Sequence, residues 1–441
     1  MPEPLAVVPP SAPQTAIRPE AGQSQLNRRP FLVGLLFAVA TLALLLPGLG
    51  RPRTTFFDEL YFVPEARALI QGIPNPTPYV SSLAKPPLGK VMIAAGMKLA
   101  GDNSFGWRFA GAICGALTVP AVYLWAYLLL QDMGLAALAA ALALFNNFLF
   151  VMSRIATVDV FLLFFLLWSL VAFTACLTLE VSVSVRRVLF CGAGVLVGLA
   201  GAVKWNAIDT LGAFCMVSLV LLYVSRRPDQ NGAGAALHWG RRLRQVGPVC
   251  LVIGLLVAPI LCYGLAFWPM CRLLHLPFSP REILAINRFM WHFNKTTPVN
   301  PFIIMPWHEW PLNLKPQRTL SYLVGNPVVT WGGLLALFAC VWRFCRRVAL
   351  PEGLVLLLFA SNFLQWVVTP QKGLYYYYYY PCVMFLGVAM AVALNSRKRI
   401  LGVRPGIIVA LAAGIVFARC YGQMAHLEAP WDCLLGCFPF H

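Results

Sequence analysis

Again and again this chain runs into a stretch of about 20 mostly apolar residues, the length a helix needs to cross the hydrocarbon core of a bilayer. Eleven such stretches stand at 31–49, 107–129, 134–151, 156–178, 188–203, 207–224, 247–268, 327–344, 352–369, 375–394 and 404–420. No aqueous core absorbs that much apolar surface. Of the 441 residues, 59% are hydrophobic and only 11% charged, where a soluble domain carries about 25% charged residues. The expected fold class is an all-α integral membrane protein of about eleven transmembrane helices.

The charges then orient the spans. With the N-terminus in the cytoplasm, alternate loops carry Arg186-Arg187, then Arg226, Arg227, Arg241, Arg242 and Arg244, then Arg343, Arg346 and Arg347, then Arg397, Lys398, Arg399 and Arg404. The intervening short turns hold little beyond Arg154, Lys204 and Lys372. Lys and Arg accumulate in cytoplasmic loops, so one orientation satisfies every loop and the span number is odd. The formal charge of +18 sits between apolar runs rather than along one face, which excludes nucleic-acid binding. Residues 1–27, rich in Pro, Ala and Gln, read as a disordered cytoplasmic tail, and 28–425 as one transmembrane domain. Arg28-Arg29 and the run after it imitate a signal peptide, but the run is long enough to span and lacks a cleavage-site pattern. Two long outside segments interrupt the spans, at 50–106 and 269–326, and 426–441 forms an outside tail. The first segment reads as two amphipathic helices on the membrane surface, joined by the Pro-rich IPNPTPYV. The thirteen cysteines are scattered and form no C-x-x-C pair, so no zinc or redox framework is expected. A disulfide among Cys271, Cys433 and Cys437 stays open.

Ionisable residues gather at the outside boundary. Asp58-Glu59 directly follows the first span. On residues alone the pair is either a hydrated helix start, where acids suit the dipole, or a pair of acids kept for use. Lys85-Pro86-Pro87-Leu88-Gly89-Lys90 offers an extended turn into a helix, whose N-terminus with Lys85 and Lys90 suits an anion. Plain snorkelling explains the lysines equally well. Arg108 opens the second span and suits a phosphate, or a pairing with Asp58, Glu59 or a lipid head group. Asp159 enters the fourth span one turn after Arg154, with which a local ion pair is the simplest arrangement. Lys204-Trp205-Asn206 forms another outside turn. Trp307 and Trp310 suit an interface, and six tyrosines, Tyr375–Tyr380, open the tenth span, some necessarily facing the bundle. Acids beside cations at a lipid surface suit chemistry on a lipid-borne phosphate.

At FFDELYF (56–62), KPPLGK (85–90), WRFAGAICGALTVPAVYL (107–124), NNFLFVMSRIATVDVFLLFF (146–165), GLAGAVKWNAI (198–208), WHEWPLNLKP (307–316) and GNPVVTWGG (325–333) the chain resembles the protein O-mannosyltransferase family. It is similar also to the related bacterial aminoarabinose lipid A transferases. Both are GT-C-type membrane glycosyltransferases. The motifs follow the family order from about residue 31 to 420. Two features depart from it. Lys85 stands where the mannosyltransferases have histidine, as in the lipid A transferases, and the soluble insertion of eukaryotic members between spans seven and eight is missing.

The resemblance implies transfer of a sugar, mannose by default, from a polyprenyl-phosphate carrier to an acceptor hydroxyl on the outer face. It implies Asp58 as base, aided by Glu59 and Asp159. Lys85, Arg108, Lys204 and Lys90 would hold the donor phosphate, and Trp307, His308, Tyr375 and Tyr378 would contact substrate. A single carboxylate base suits inversion without a covalent intermediate. A divalent metal is not indicated. Partners are the donor, a protein, lipid or glycan acceptor, and membrane lipid. The expected location is a bacterial inner membrane, or the endoplasmic reticulum in a eukaryote. Aminoarabinose or pentose transfer is the alternative. A transporter would carry polar residues at mid-membrane, and a non-catalytic lipid-binding protein would have no use for Asp58.

Overall fold

The computed structural model describes residues 28–75, 84–226, 234–296, 304–312, 325–346, 349–368, 374–395 and 404–425. The expected tails, Cys433, Cys437, most of the Pro-rich turn and the end of WHEWPLNLKP lie outside them. The described residues form helices and connecting turns, with no strand. In chain order the helices are α1 (Arg29–Leu45), α2 (Glu59–Gln71), α3 (Leu88–Ala100), α4 (Ser104–Leu130), α5 (Met133–Leu144), α6 (Asn147–Met152), α7 (Asp159–Thr178), α8 (Val183–Val203), α9 (Ala207–Val224) and α10 (Gly234–Val246). There follow α11 (Pro248–Leu273), α12 (Pro280–Thr296), α13 (Pro327–Arg346), α14 (Leu350–Val368), α15 (Tyr380–Ala393) and α16 (Pro405–Met424).

Among the described residues nine helices are long and apolar enough to cross a membrane. The other two expected spans are occupied by the shorter apolar helices α1 and α5. The run 134–151 does not form one helix. It breaks at Phe145-Asn146, where the Asn146 side chain accepts from Phe148 N and starts α6 anew. An amide that caps a helix competes with continuing the previous one.

The bundle is layered by exposure. α4, α7 and α15 are walled in by other helices. Along Tyr376–Ala393 nearly every residue is buried, as suits a helix apolar on all sides. α1, α11 and α16 ring this core and turn Leu35, Leu36, Ile260, Leu261, Leu411 and Ile415 outward, toward the lipid. Arg154 ties the ring to the core. It donates to the carbonyls of Leu45 and Ala425, the C-terminal ends of α1 and α16, where a cation offsets the helix dipole. Among the described residues the first and last helices therefore end on the same side, the arrangement an odd number of spans gives. The simple Arg154–Asp159 ion pair expected from spacing does not form.

Candidate active site

Asp58, Lys85, Asp159 and Lys204 meet at the end of the bundle where α1 ends and α7 begins. Four segments converge there: the turn 56–59 before α2, the turn 84–87 before α3, the start of α7, and the turn between α8 and α9. Pro86 and Pro87 stop the chain from helix and then release it into α3 at Leu88. Gly89 lets that helix start touch α7. A Cβ there would come within 2.5 Å of Val158 Cγ1, closer than real side chains approach. The glycine of KPPLGK is thus what brings Lys85 up to Asp159.

Asp159 and Lys204 form an ion pair at 2.7 Å, both nearly excluded from solvent. The Lys204 ammonium also lies 4.0 Å from the centre of the Tyr378 ring and 5.4 Å from that of Tyr377, where the ring quadrupole attracts a cation. Tyr378 stacks its other face on Trp366, with centroids 4.6 Å apart and planes 16° from parallel. Asp58 and Lys85 face this pair and are each half-buried. Among the described residues neither side chain makes a hydrogen bond or ion pair of its own. Burial and the neighbouring Asp159 push the Asp58 carboxyl up to about 7, against the pull of Lys85 and Lys204. Burial and the proximity of Lys204 bring the Lys85 ammonium down to about 8, with Asp159 and Asp58 opposing. Burial and the Asp58 charge raise the Tyr375 phenol as well. An unpartnered carboxylate poised near neutrality beside two cations is what a general base at a phosphate requires.

Glu59 and Arg108 are built differently. Their fork-to-fork pair, at 2.7 and 2.8 Å, has no solvent exposure. Arg108 spends its remaining donors on the carbonyls of Leu49, Pro52 and Thr54. Glu59 accepts further from the backbone N–H of Ala156, at 2.9 Å, and of Phe56, at 3.3 Å. All five guanidinium N–H groups are engaged, so Arg108 has none left for a phosphate. Lys90 also turns elsewhere: it reaches the Lys85 carbonyl and faces Glu65, and burial brings it down to about 8. Trp307 packs edge-on against Phe363 and His308 is exposed; among the described residues neither makes a hydrogen bond, ion pair or ring contact with Asp58. Tyr375 stacks on Tyr377 at 5.5 Å.

The sequence pointed to Tyr378 but not to Phe57, Tyr377 or Trp366, which line the same place. Their signal was present, aromatics directly flanking the acids and the tyrosine run, but helical spacing alone does not say which face points inward. Next to Lys204 a cavity of about 660 Å³ opens between α8, α9, α11, α12 and α14. Its walls are mainly apolar, with Trp205, Trp291 and Trp366, and its polar groups come from Asn206, Asp209, Asn287, Asn294, Lys295 and Gln365. Asp58 and Lys85 do not line it; Trp366 does, and stacks on Tyr378. Among the described residues no group of three His, Cys, Asp or Glu side chains converges as metal ligands do.

A family model described as dolichyl-phosphate-mannose-protein mannosyltransferase matches residues 78–275. The polyprenol-phosphate-mannose–protein mannosyltransferase of Mycolicibacterium smegmatis is 27% identical, over 83% of this chain and 81% of its own. The protein of that name from Mycobacterium tuberculosis is 26% identical, over 82% and 79%. The S. cerevisiae protein O-mannosyltransferase Pmt1-Pmt2 complex bound to its sugar donor superposes with a TM-score of 0.72 at 15% identity, covering 94% of both chains. ArnT from Cupriavidus metallidurans bound to undecaprenyl phosphate gives 0.58 at 17% identity, over 90% of this chain and 65% of its own. The chain thus resembles the protein mannosyltransferases in sequence and shares the GT-C-type fold.

Proposed function

We propose that this protein is a membrane glycosyltransferase that moves mannose from a polyprenyl-phosphate carrier to a hydroxyl of a protein acceptor. The observation that carries the reading is Asp58: a carboxyl with no partner of its own, facing Lys85 and the Asp159–Lys204 pair. The names of the mycobacterial relatives supply the donor and acceptor classes.

In this reading the acceptor oxygen attacks the anomeric carbon from the face opposite the phosphate. Asp58 takes the hydroxyl proton as the new C–O bond forms. The bond from the anomeric carbon to the phosphate oxygen breaks, and polyprenyl phosphate departs with its extra negative charge. Lys85 and Lys204 neutralise that charge, in a half-buried setting where each interaction counts for more than in water. Asp159 holds Lys204 in place, and the Tyr378 ring supports the same ammonium. The displacement inverts the sugar configuration and needs one carboxylate only. The adjoining cavity, mainly apolar and bounded by outward-facing Ile208, Ile260 and Val368, offers an isoprenoid chain an apolar wall. Glu59 and Arg108 act through structure, fixing the turn that presents Asp58.

The site faces the exterior or lumen in this reading, with the N-terminus cytoplasmic, because Arg186, Arg187, Arg241, Arg244, Arg343 and Arg404 gather at the opposite end. The test is transfer from polyprenyl-phosphate mannose to a Ser/Thr peptide by the purified protein in liposomes. A parallel arm offers polyprenyl-phosphate aminoarabinose with a lipid acceptor. We expect wild type to transfer mannose and folded Asp58→Asn to lose transfer. Full activity in Asp58→Asn would remove the base assignment, and turnover of the aminoarabinose donor alone would replace the substrate.

A further inference from the structure

We infer that Phe57 is a positioning residue: its backbone, held in the left-handed region by the contact of its ring with Tyr377, aims the Asp58 carboxylate into the recess of Lys85, Asp159 and Lys204. The inference rests on the reading of Asp58 as the base.

Phe57 has φ +53°, one of three non-glycine residues with positive φ among those described. The other two, Gln131 and His275, follow helix ends, where the left-handed conformation is the ordinary way to close a helix. Phe57 precedes a helix, so capping does not account for it. A side chain with a Cβ resists this conformation, and such outliers persist only where surrounding contacts hold them.

Those contacts are visible. The Phe57 ring meets Tyr377 edge-on, with centroids 5.4 Å apart and planes 87° apart, the geometry aromatic pairs prefer. Tyr377 is itself buried, stacked on Tyr375 and edge-on to Tyr378. Phe57 is therefore pinned to a rigid wall of the bundle core. On its other side Asp58 is pinned by Glu59, locked to Arg108 and to the N–H groups of Phe56 and Ala156. Asp58 between them has no side-chain hydrogen bond among the described residues to fix its direction. Its aim therefore depends on its two neighbours in the chain. If the ring lets go, the backbone relaxes to negative φ, and the carboxylate leaves its place facing Lys85, Asp159, Lys204, Tyr375, Tyr377 and Tyr378.

The test compares wild type, Phe57→Ala and Phe57→Tyr, each reconstituted in liposomes, by two readouts. The first is mannose transfer from polyprenyl-phosphate mannose. The second is the pH dependence of carbodiimide labelling at Asp58, read by mass spectrometry, which reports protonation of that carboxyl without any turnover. For Phe57→Ala we expect kcat to fall by about tenfold or more with KM nearly constant, because an interaction serving only the transition state is lost. We expect its labelling midpoint to drop from about 7 by roughly one unit or more, as a carboxyl that swings into water regains its ordinary acidity. Phe57→Tyr, which keeps the ring, should match wild type in both. Should Phe57→Ala fail to fold, Phe57→Leu keeps an apolar side chain, removes the ring contact with Tyr377 and carries the same expectations. An unchanged labelling midpoint and kcat in Phe57→Ala overturns the inference. If wild type transfers from no donor while the midpoint still shifts, the proposed function falls and the positioning role stands.

Discussion

Asp58 and Glu59 are neighbours in the chain, carry the same charge when ionised and stand at the same membrane boundary, yet the fold treats them in opposite ways. Glu59 is sealed from solvent and paired fork-to-fork with Arg108, its oxygens filled by two backbone N–H groups besides. Asp58 is half-buried and unpartnered, with its charge opposed by Asp159 and favoured by two lysines. A carboxylate whose every lone pair is satisfied is a strut. One left without a partner in a charged recess is free to exchange a proton. Two acidic residues side by side thus divide into a paired one and an unpartnered one, and the turn between Phe56 and Glu59 makes the division.

The sharpest way to break this contrast is to neutralise each acid in turn. Asp58→Asn should lower kcat by roughly 10²- to 10⁴-fold, the span of general base catalysis, with its thermal unfolding in detergent unchanged. Glu59→Gln should act first on stability, costing about 3–5 kcal/mol by leaving the buried Arg108 charge uncompensated, and on turnover only through the loosened turn. If Glu59→Gln unfolds normally and abolishes turnover while Asp58→Asn stays active, the two roles are exchanged and the contrast fails.

The cationic side of the recess gives the next effect. Lys85→Met should reduce kcat/KM by about ten- to a hundredfold, the equivalent of about 1.5–3 kcal/mol for a hydrogen bond to a charged group, measured in the same transfer assay. Arg108→Lys should instead appear in unfolding, since the lost donors belong to the strut. Gly89→Ala comes third. The added methyl meets Val158 and should cost about 1–3 kcal/mol, divided between stability and a several-fold loss of turnover as Lys85 is pushed away.

The smallest expected effect is a shift in pH dependence. Asp58 must be ionised to act, so activity should rise with pH through a limb near 7 and fall about tenfold per unit below it. Asp159 is among the groups that hold this carboxyl up. Asp159→Asn removes a like charge and frees Lys204, and both changes favour the ionised form. The limb should therefore move to lower pH, by about one unit or less. A limb that moves upward contradicts the electrostatics of the recess.

How much of this was legible beforehand follows the same division. The spans, their odd number and the segments that carry charge follow from apolar runs and from Lys and Arg placement, because lipid leaves the backbone few choices. Asp58, Lys85, Asp159 and Lys204 were all named from the sequence, since charges at a membrane boundary are few. Arg108, Lys90 and Arg154 were visible for the same reason, and Glu59 stood among the partners open to Arg108, but which partner each takes was not. Arg154 lay one turn from Asp159 and binds instead the ends of α1 and α16. The break at Asn146 and the inward aim of Phe57 and Tyr377 were hidden too, for each depends on what packs opposite.

Sequence by itself determined the solvent, the fold class and the small set of ionisable residues that such a chain retains against the cost of burial. Only the tertiary structure decided which of them are joined. The physical reason is distance. Hydrophobic length is a property of one segment, whereas a charge is silenced or left reactive by groups tens to hundreds of residues away. Glu59 is closed by Arg108 and Ala156, and Asp58 is left open between Phe57 and the recess.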